Sequence, residues 1–328
     1  MIYTTRTPLR VSFFGGGTDY PEYFNRHPGA VVGMAIDKYI YIGAVRLGGI
    51  QPYRIRLSYS KLETVQSVDE IQHPVMREVL KLYGIDEPID ISIMSDMPAN
   101  TGLGSSSAFT VGFLNVLHSL TGRMATKMDL AREAMFVERD VLKENVGVQD
   151  QLHASFGGLN RFDFSDGKYR VTPLLISAAN LEALNNSLYL IYTGDKRHAS
   201  KVVEKQLEET RSKSLDKKLD HLLALTDQAV DVLENTPAET MVVEIGKMLH
   251  EGWMTKRSLT SSISSPHIDA LYETALANGA LGGKLAGAGG GGFLLMIIPP
   301  ENLEKVRSAL APQPVLSVSM DARGSTAM

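Results

Sequence analysis

The sequence contains no cysteine and has little excess charge of either sign. The absence of cysteine excludes disulfide bonds, thiolate nucleophiles and cysteine-ligated metal sites. The chain carries 33 lysine and arginine residues and 37 aspartate and glutamate residues, for a formal net charge of −4. The basic residues are scattered and form no block of the kind that binds a phosphate backbone. We therefore expect no nucleic-acid partner.

Long hydrophobic runs are also missing. The longest, residues 293–298, is far shorter than the roughly 20 residues that cross a bilayer, and it is followed by Pro299. Arg6 and Arg10 flank only a short apolar stretch, which does not fit a secretory leader. Together with the missing cysteines, these features predict a cytoplasmic globular protein with no membrane partner.

Hydrophobic periodicity predicts a mixed α+β fold. Alternating and β-branched residues indicate strands through the first hundred residues and again around residues 159–193. Apolar spacings of three and four indicate helices at 105–120, 127–143 and about 148–155, and three more between about 197 and 256. A boundary near residue 180 divides the chain into predicted domains of residues 1–180 and 181–328.

A glycine- and serine-rich segment joins a predicted strand to a predicted helix. Residues 98–108 spell PANTGLGSSSA. Glycine lets the backbone approach a ligand closely, and unpaired N–H groups at a helix start attract phosphate oxygens. The segment lacks the lysine of a Walker A motif, so it does not indicate a P-loop NTPase. The alternative is an ordinary helix start that is capped by a serine.

Two further glycine clusters lie near the ends of the chain. Residues 8–20, PLRVSFFGGGTDY, place Arg10 on a predicted strand, followed by three glycines and Asp19, whose carboxylate can accept hydroxyl protons of a sugar. Residues 283–293, GKLAGAGGGGF, hold too many glycines for a regular strand or helix, which indicates a close backbone approach. A simple turn and a flexible linker are the respective alternatives.

Two carboxylates between these clusters are candidates for chemistry. Glu138 borders the apolar face of its predicted helix, where a magnesium ion would explain a half-buried acid; an exposed ion pair with Arg139 is the alternative. Asp150 lies at the start of a short predicted helix, where it could equally be an N-terminal cap.

The three glycine clusters, in this order, resemble the motifs of the GHMP kinases, a family named for galactokinase, homoserine, mevalonate and phosphomevalonate kinases. The matched motifs span residues 8–293. The resemblance implies a two-domain α+β fold, with an N-terminal domain like that of ribosomal protein S5 and a ferredoxin-like C-terminal domain around a shared cleft. It also implies ATP and Mg²⁺ as the cofactors.

Carried over by position, the resemblance implies a role for each candidate residue. Asp150 matches the aspartate that accepts or orients the hydroxyl proton, and Arg10 matches the arginine beside the transferred phosphoryl group. Ser106 and Glu138 match the magnesium ligands. The residues that match the phosphate loop are Gly102, Leu103, Gly104, Ser105, Ser106 and Ser107. The expected substrate-binding positions are Gly15, Gly16, Gly17, Asp19, Arg197 and Gly287.

The first glycine cluster also indicates which sugar is the acceptor. Galactokinases carry Glu-His where this chain has Gly16 and Gly17, which disfavours galactose. The GGGTD form, with TGDKR at residues 193–197, resembles kinases that phosphorylate the anomeric hydroxyl of D-glycero-D-manno-heptose 7-phosphate to the 1,7-bisphosphate. Lys196 and Arg197 are the cations expected to hold the existing phosphate, unless they form a solvated helix start.

The family resemblance also leaves other functions open. Fucokinase-type and glucuronokinase-type sugar 1-kinases are the main alternatives for the acceptor. A diphosphomevalonate decarboxylase-like enzyme and a non-catalytic ligand sensor are disfavoured, the latter because Ser106, Glu138 and Asp150 are intact. We expect the partners to be ATP and a sugar or sugar phosphate, with the chain acting as a monomer or homodimer.

Overall fold

The structure is a computed structural model that describes residues 1–194 and 199–328, and it confirms the α+β class. The strands are β1 (Ile2–Phe14), β2 (Gly29–Arg46), β3 (Ile55–Ser58), β4 (Leu62–Val65), β5 (Ile89–Ser95), β6 (Leu159–Ser165), β7 (Lys168–Pro173), β8 (Leu188–Tyr192), β9 (Gly282–Leu285), β10 (Phe293–Ile297), β11 (Val315–Ser317) and β12 (Thr326–Ala327). The helices are α1 (Pro21–Phe24), α2 (Pro74–Leu82), α3 (Ser105–Thr121), α4 (Lys127–Met135), α5 (Gln149–Phe156), α6 (Ala178–Ser187), α7 (Ala199–Arg211), α8 (Asp216–Asn235), α9 (Ala238–Arg257), α10 (Pro266–Ala277) and α11 (Leu303–Leu310).

The larger sheet is organised by β2. One edge of β2 pairs with β1 along nearly its whole length, while the other edge pairs first with β6 and then with β5. The resulting order is β12-β1-β2-β5-β3-β4, with β6 and β7 continuing beside the first half of β2. Only the β3–β5 pairing among these is parallel. Strand β1 therefore lies inside the sheet, and its end carries the first glycine cluster.

The smaller sheet has the antiparallel order β11-β8-β10-β9. Helix α9 packs on β9 and on α8, and α8 also reaches β2 of the larger sheet. One cluster of buried apolar side chains includes residues of both sheets. The two sheets therefore share one core, and the last glycine cluster forms the loop between β9 and β10.

Helix α3 is the central helix of the first half of the chain. It packs on β1, β2, α4 and α5, and most of its side chains are buried because the helix is apolar on nearly all faces. Among the described residues, no helix combines the length and the hydropathy that a membrane span requires.

Several element assignments differ from the sequence prediction. The helix expected over residues 127–143 is α-helical only to Met135 and continues as a π-helix over Phe136–Val141, a change that apolar spacing does not encode. Helices α2 and α6 and the short strand β12 were not predicted. Strand β2 runs without a break over Gly29–Arg46, and the last glycine cluster separates β9 from β10.

The chain passes from the larger sheet to the smaller sheet between Pro173, the last residue of β7, and Leu188, the first residue of β8. The expected boundary near residue 180 falls inside α6, which occupies this interval. Near the end of the chain, β12 returns to the larger sheet, where Thr5 pairs with Ala327. The division into residues 1–180 and 181–328 stays a prediction.

Candidate active site

A cleft of about 880 Å³ gathers the three glycine clusters. It is bordered by the end of β1, the loop before α3, residues 143–150 and the loop between β9 and β10. The predicted residues that line it are Arg10, Gly16, Gly17, Asp19, Gly102, Gly104, Ser105, Ser106, Ser107, Asp150 and Gly287. A second depression of about 530 Å³ lies on β6 and β7 and contains none of them.

The loop before α3 leaves the first turn of the helix open to the cleft. The N-cap residue is Gly104, which adopts a left-handed conformation with φ 73° and has no side chain to cap the helix. The serine-cap alternative is therefore wrong. Ser105, Ser106 and Ser107 carry the first N–H groups of the helix and line the cleft, an arrangement that suits phosphate oxygens.

Strand β1 holds this loop in place through Arg10. The backbone N–H of Arg10 donates to the carbonyl of the fully buried Leu103 at 3.1 Å, and Nη1 of Arg10 donates to the carbonyl of Gly102 at 2.6 Å. Leu103 therefore contributes a carbonyl and a buried side chain to the loop, and it does not line the cleft.

The last glycine cluster packs directly on the same loop. A Cβ atom at Gly287 would lie 2.7 Å from the Cα of Gly102, and one at Gly102 would lie 2.5 Å from the carbonyl oxygen of Ala286. A Cβ at Gly292 would lie 2.3 Å from the carbonyl oxygen of Thr101. These distances confirm the close backbone approach and exclude the flexible-linker alternative.

Asp150 and Arg10 form a partly buried ion pair in the cleft. Nε of Arg10 donates to Oδ1 of Asp150 at 2.8 Å, and Nη2 donates to Oδ2 at 2.7 Å. Asp150 is the second residue of α5, and no side chain caps that helix. The capping alternative for Asp150 is therefore wrong, and its carboxylate faces the phosphate loop.

Asp19 follows the glycine turn at the end of β1 and also lines the cleft. Its carboxylate is almost fully buried, and Oδ1 accepts a hydrogen bond from the backbone N–H of Gly17 at 2.9 Å. Burial raises the pKa of Asp19, and the nearby charge of Asp150 adds to this effect. Gly147 packs so closely that a Cβ atom there would lie 2.0 Å from Oδ2 of Asp19.

Two of the residues predicted to bind the acceptor are not among the described residues that line this cleft. Gly15 packs on β2, where a Cβ atom would lie 1.9 Å from the carbonyl oxygen of Ala30, so its place is structural. Arg197, with Lys196, lies outside the described residues.

Glu138 lies on the π-helical segment, where it is fully buried. Its Oε2 accepts hydrogen bonds from Oγ of Ser107, at 2.9 Å, and from Nε2 of Gln151. Arg139 instead donates to the carbonyl of Val146, so the ion-pair alternative is wrong. Burial raises the pKa of Glu138 to about 7. The carboxylate contacts Ser107 rather than Ser106, and it lies behind the lining of the cleft.

The residues present suit a magnesium ion. Among the described residues, Oε1 of Glu138 is buried and has no hydrogen-bond partner, and the hydroxyl of Ser107 next to this carboxylate is a further oxygen donor. Magnesium prefers oxygen ligands and is often held by one or two carboxylates together with substrate phosphates. In the part of the chain that the structure describes, no three His, Asp or Glu side chains form a metal-binding group. Phosphate oxygens would therefore have to complete the coordination.

Two lysines in the cleft were not predicted. Lys256, in the last turn of α9, and Lys284, on β9, are each only 7% exposed. Nζ of Lys256 donates to the carbonyl of Gly287, and Nζ of Lys284 donates to the carbonyl of Phe13 at 3.1 Å. Burial lowers the pKa of both, that of Lys256 to about 8. The position of Lys284 inside the last glycine cluster could have identified it from the sequence, whereas no feature of the neighbouring residues distinguishes Lys256.

Comparison with known protein families gives two matches. Residues 70–158 match the model of the GHMP kinases N terminal domain, and residues 238–314 match that of the GHMP kinases C terminal domain. The first match contains the phosphate loop, Glu138 and Asp150. The second contains Lys256, Lys284 and the last glycine cluster.

Individual relatives agree with these matches. A D-glycero-alpha-D-manno-heptose 7-phosphate kinase of Campylobacter jejuni is 28% identical over 319 residues, which cover 93% of this chain and 92% of the relative. The L-fucokinase/L-fucose-1-P guanylyltransferase of Bacteroides fragilis is 25% identical over 94% of this chain but only 36% of its own length. The crystal structure of a D-glycero-D-manno-heptose 1-phosphate kinase from Bacteroides thetaiotaomicron superposes with a TM-score of 0.75, at 22% identity, over 100% of this chain and 99% of that chain. The last similarity shows a shared fold.

Proposed function

This chain belongs to the GHMP kinase family, and we propose that it transfers phosphate from ATP to the anomeric hydroxyl of D-glycero-D-manno-heptose 7-phosphate. Sugar kinases of this family are ATP-dependent phosphotransferases that act on sugar hydroxyls. The observation that carries the proposal is the meeting of an open helix start, the Arg10–Asp150 pair and the buried Asp19 in one cleft.

Phosphoryl transfer requires mainly alignment and the neutralisation of charge. The N–H groups of Ser105, Ser106 and Ser107 would bind phosphate oxygens of ATP at the start of α3. Arg10 lies between the loop and Asp150, where its remaining N–H groups can stabilise the transferring phosphoryl group. Asp150 would accept or orient the proton of the attacking hydroxyl.

The acceptor would lie against the turn after β1. Gly16 and Gly17 leave room beside a sugar ring, and the carboxylate of Asp19 can accept hydrogen bonds from its hydroxyls. Bound magnesium would neutralise charge on the nucleotide oxygens, and Glu138 with Ser106 are the residues proposed to hold it. The 28% identity to the heptose kinase, over 93% of this chain, supports the choice of acceptor.

Fucokinase-type activity is the second candidate, because 36% of the length of an L-fucokinase/L-fucose-1-P guanylyltransferase aligns with 94% of this chain. A glucuronokinase-type acceptor is a further option. The cytoplasmic location and the monomeric or homodimeric state stay predictions.

An acceptor panel tests the proposal. Purified protein with MgATP is assayed against heptose 7-phosphate, free fucose, galactose and glucuronate, and the position of the new phosphate is read by ³¹P NMR. We expect catalytic efficiency to be about 100-fold or more higher for heptose 7-phosphate than for any free sugar. The Asp150→Asn variant, purified in parallel, controls for contaminating kinases. Preference for free fucose or glucuronate would overturn the heptose assignment but leave the kinase assignment standing.

A further inference from the structure

We infer that Lys256 and Lys284 together bind the phosphate group that the acceptor already carries before the reaction. This inference rests on the proposed function, and it specifies the class of acceptor as a sugar phosphate. It assigns to two residues of α9 and β9 the role that the sequence suggested for Arg197.

The two lysines reach the same cleft from α9 and β9. Nζ of Lys284 donates to the carbonyl of Phe13, which precedes the glycine turn, and a Cβ atom at Gly16 would lie 4.0 Å from the same nitrogen. Nζ of Lys256 donates to the carbonyl of Gly287. Both residues line the cleft although each is only 7% exposed.

Each ammonium group has hydrogen-bonding capacity to spare. An ammonium carries three N–H donors, and within residues 1–194 and 199–328 each of these lysines has one recorded acceptor, a backbone carbonyl. Neither forms an ion pair in that part of the chain, where the recorded ion pairs involve other lysines. Burying a cation without a counter-charge is unfavourable and lowers its pKa, and an anion bound by both lysines would offset this cost and keep them charged.

The charges in the cleft show how much anion is required. Arg10 and Asp150 neutralise one another through their two hydrogen bonds. Lys143 and Glu144, which also line the cleft, have opposite charges, so Asp19 is left opposite two lysines. Burial, followed by repulsion from Lys256 and Arg10, lowers the pKa of Lys284 well below its usual range. A neutral sugar would not restore this balance. A phosphate monoester, with a charge of about −1.5 to −2, would.

The position of the lysines favours the acceptor's own phosphate as their ligand, rather than the phosphoryl group that is transferred from ATP. The transfer point lies between the phosphate loop and Asp150, where Arg10 already bridges Gly102 and Asp150. Lys284 lies instead beside the glycine turn where the sugar ring is expected, because its Nζ donates to the carbonyl of Phe13 and lies 4.0 Å from the Cβ position of Gly16. The charges of Arg10 and Asp19 both act on the two lysines. The lysine pair therefore belongs to the acceptor subsite.

The test replaces each lysine by methionine, which keeps the length of the side chain and removes the charge. Lys247→Met is the matched control, because Lys247 is an exposed lysine on the same helix as Lys256 and pairs with Glu244. Each protein is assayed with heptose 7-phosphate and with the same heptose without its phosphate. Affinity for heptose 7-phosphate is also measured by calorimetry without ATP, and thermal unfolding checks the fold. Lys256→Gln and Lys284→Gln serve if a methionine variant does not fold.

We expect Lys256→Met and Lys284→Met to raise both the KM and the Kd for heptose 7-phosphate roughly 10- to 100-fold, with little change in kcat or in the KM for ATP. Activity toward the unphosphorylated heptose should change little, so the preference for the phosphorylated acceptor should shrink by the same factor. Lys247→Met should behave as wild type.

Two outcomes would overturn the inference. An equal loss of kcat with both heptoses would place the lysines at the transferring phosphoryl group, and unchanged kinetics in both variants would leave them without a ligand. Failure of the proposed function looks different, because the wild-type protein itself would then prefer an unphosphorylated sugar or phosphorylate none.

Discussion

The guanidinium of Arg10 binds both carboxylate oxygens of Asp150 and, through a third nitrogen, the carbonyl of Gly102. Asp150 and Gly102 come from different segments of the chain, and Arg10 joins them with hydrogen bonds of 2.6 to 2.8 Å. The proposed proton acceptor is therefore held at a set position relative to the phosphate loop.

The substitution Asp150→Asn should lower kcat about 100-fold or more, while ATP affinity and thermal stability stay close to wild type. Asparagine retains one oxygen for Arg10 but cannot take up the hydroxyl proton. Asp163→Asn makes the same chemical change on β6, outside the cleft, and should leave kcat unchanged. Near-wild-type turnover of Asp150→Asn would remove Asp150 from the mechanism.

Ser106→Ala and Glu138→Gln should each raise the magnesium concentration needed for half-maximal activity, roughly tenfold or more. Both changes remove an oxygen donor from the proposed site, and the second also removes its only protein charge. The measurement is a magnesium titration at constant ATP. Glu133→Gln, which alters a carboxylate bound to Tyr83 and His118, is the control. If both titration curves match wild type, magnesium binds elsewhere.

Gly147→Ala should lower kcat/KM for the acceptor about 100-fold, because the added Cβ atom would displace the carboxylate of Asp19 from its present position. ATP affinity should change little. Gly48→Ala is the matched control, since a Cβ atom there would have no neighbour within 4 Å. Equal kinetics for the two variants would show that the position of Asp19 does not matter for acceptor binding.

The KM for a phosphorylated acceptor should rise with pH above about 8. Burial holds the pKa of Lys256 at about 8, below its usual value of 10.5, so the side chain is charged below that pH and neutral above it. Each further pH unit reduces the charged fraction about tenfold, and KM should rise accordingly. The KM of Lys256→Met should be high and nearly independent of pH over the same range. A wild-type KM that stays constant up to pH 9.5 would contradict this assignment.

Much of the site could be predicted because its chemistry is local. The glycines at 102 and 104 are required by left-handed backbone conformations at a helix start, with φ of 81° and 73°, and such requirements are visible in consecutive residues. The pattern of apolar residues likewise identified α3 and the three helices α7, α8 and α9.

The remaining features depend on contacts between distant segments. Glu138 is buried on a π-helical segment, and the apolar spacing of the sequence predicted neither its burial nor the change from α-helix to π-helix. Gly15 and Gly16 are neighbours in one cluster, yet one packs on β2 and the other lines the cleft.

By itself, the sequence determined the α+β class, the family resemblance and the segments that surround the cleft, because periodicity and backbone conformation are properties of neighbouring residues. Only the tertiary structure decided that Asp150 pairs with Arg10, 140 positions away, and that Lys256 and Lys284 share one cleft. The physical reason is that burial and charge pairing depend on which segments the sheets and α9 bring together.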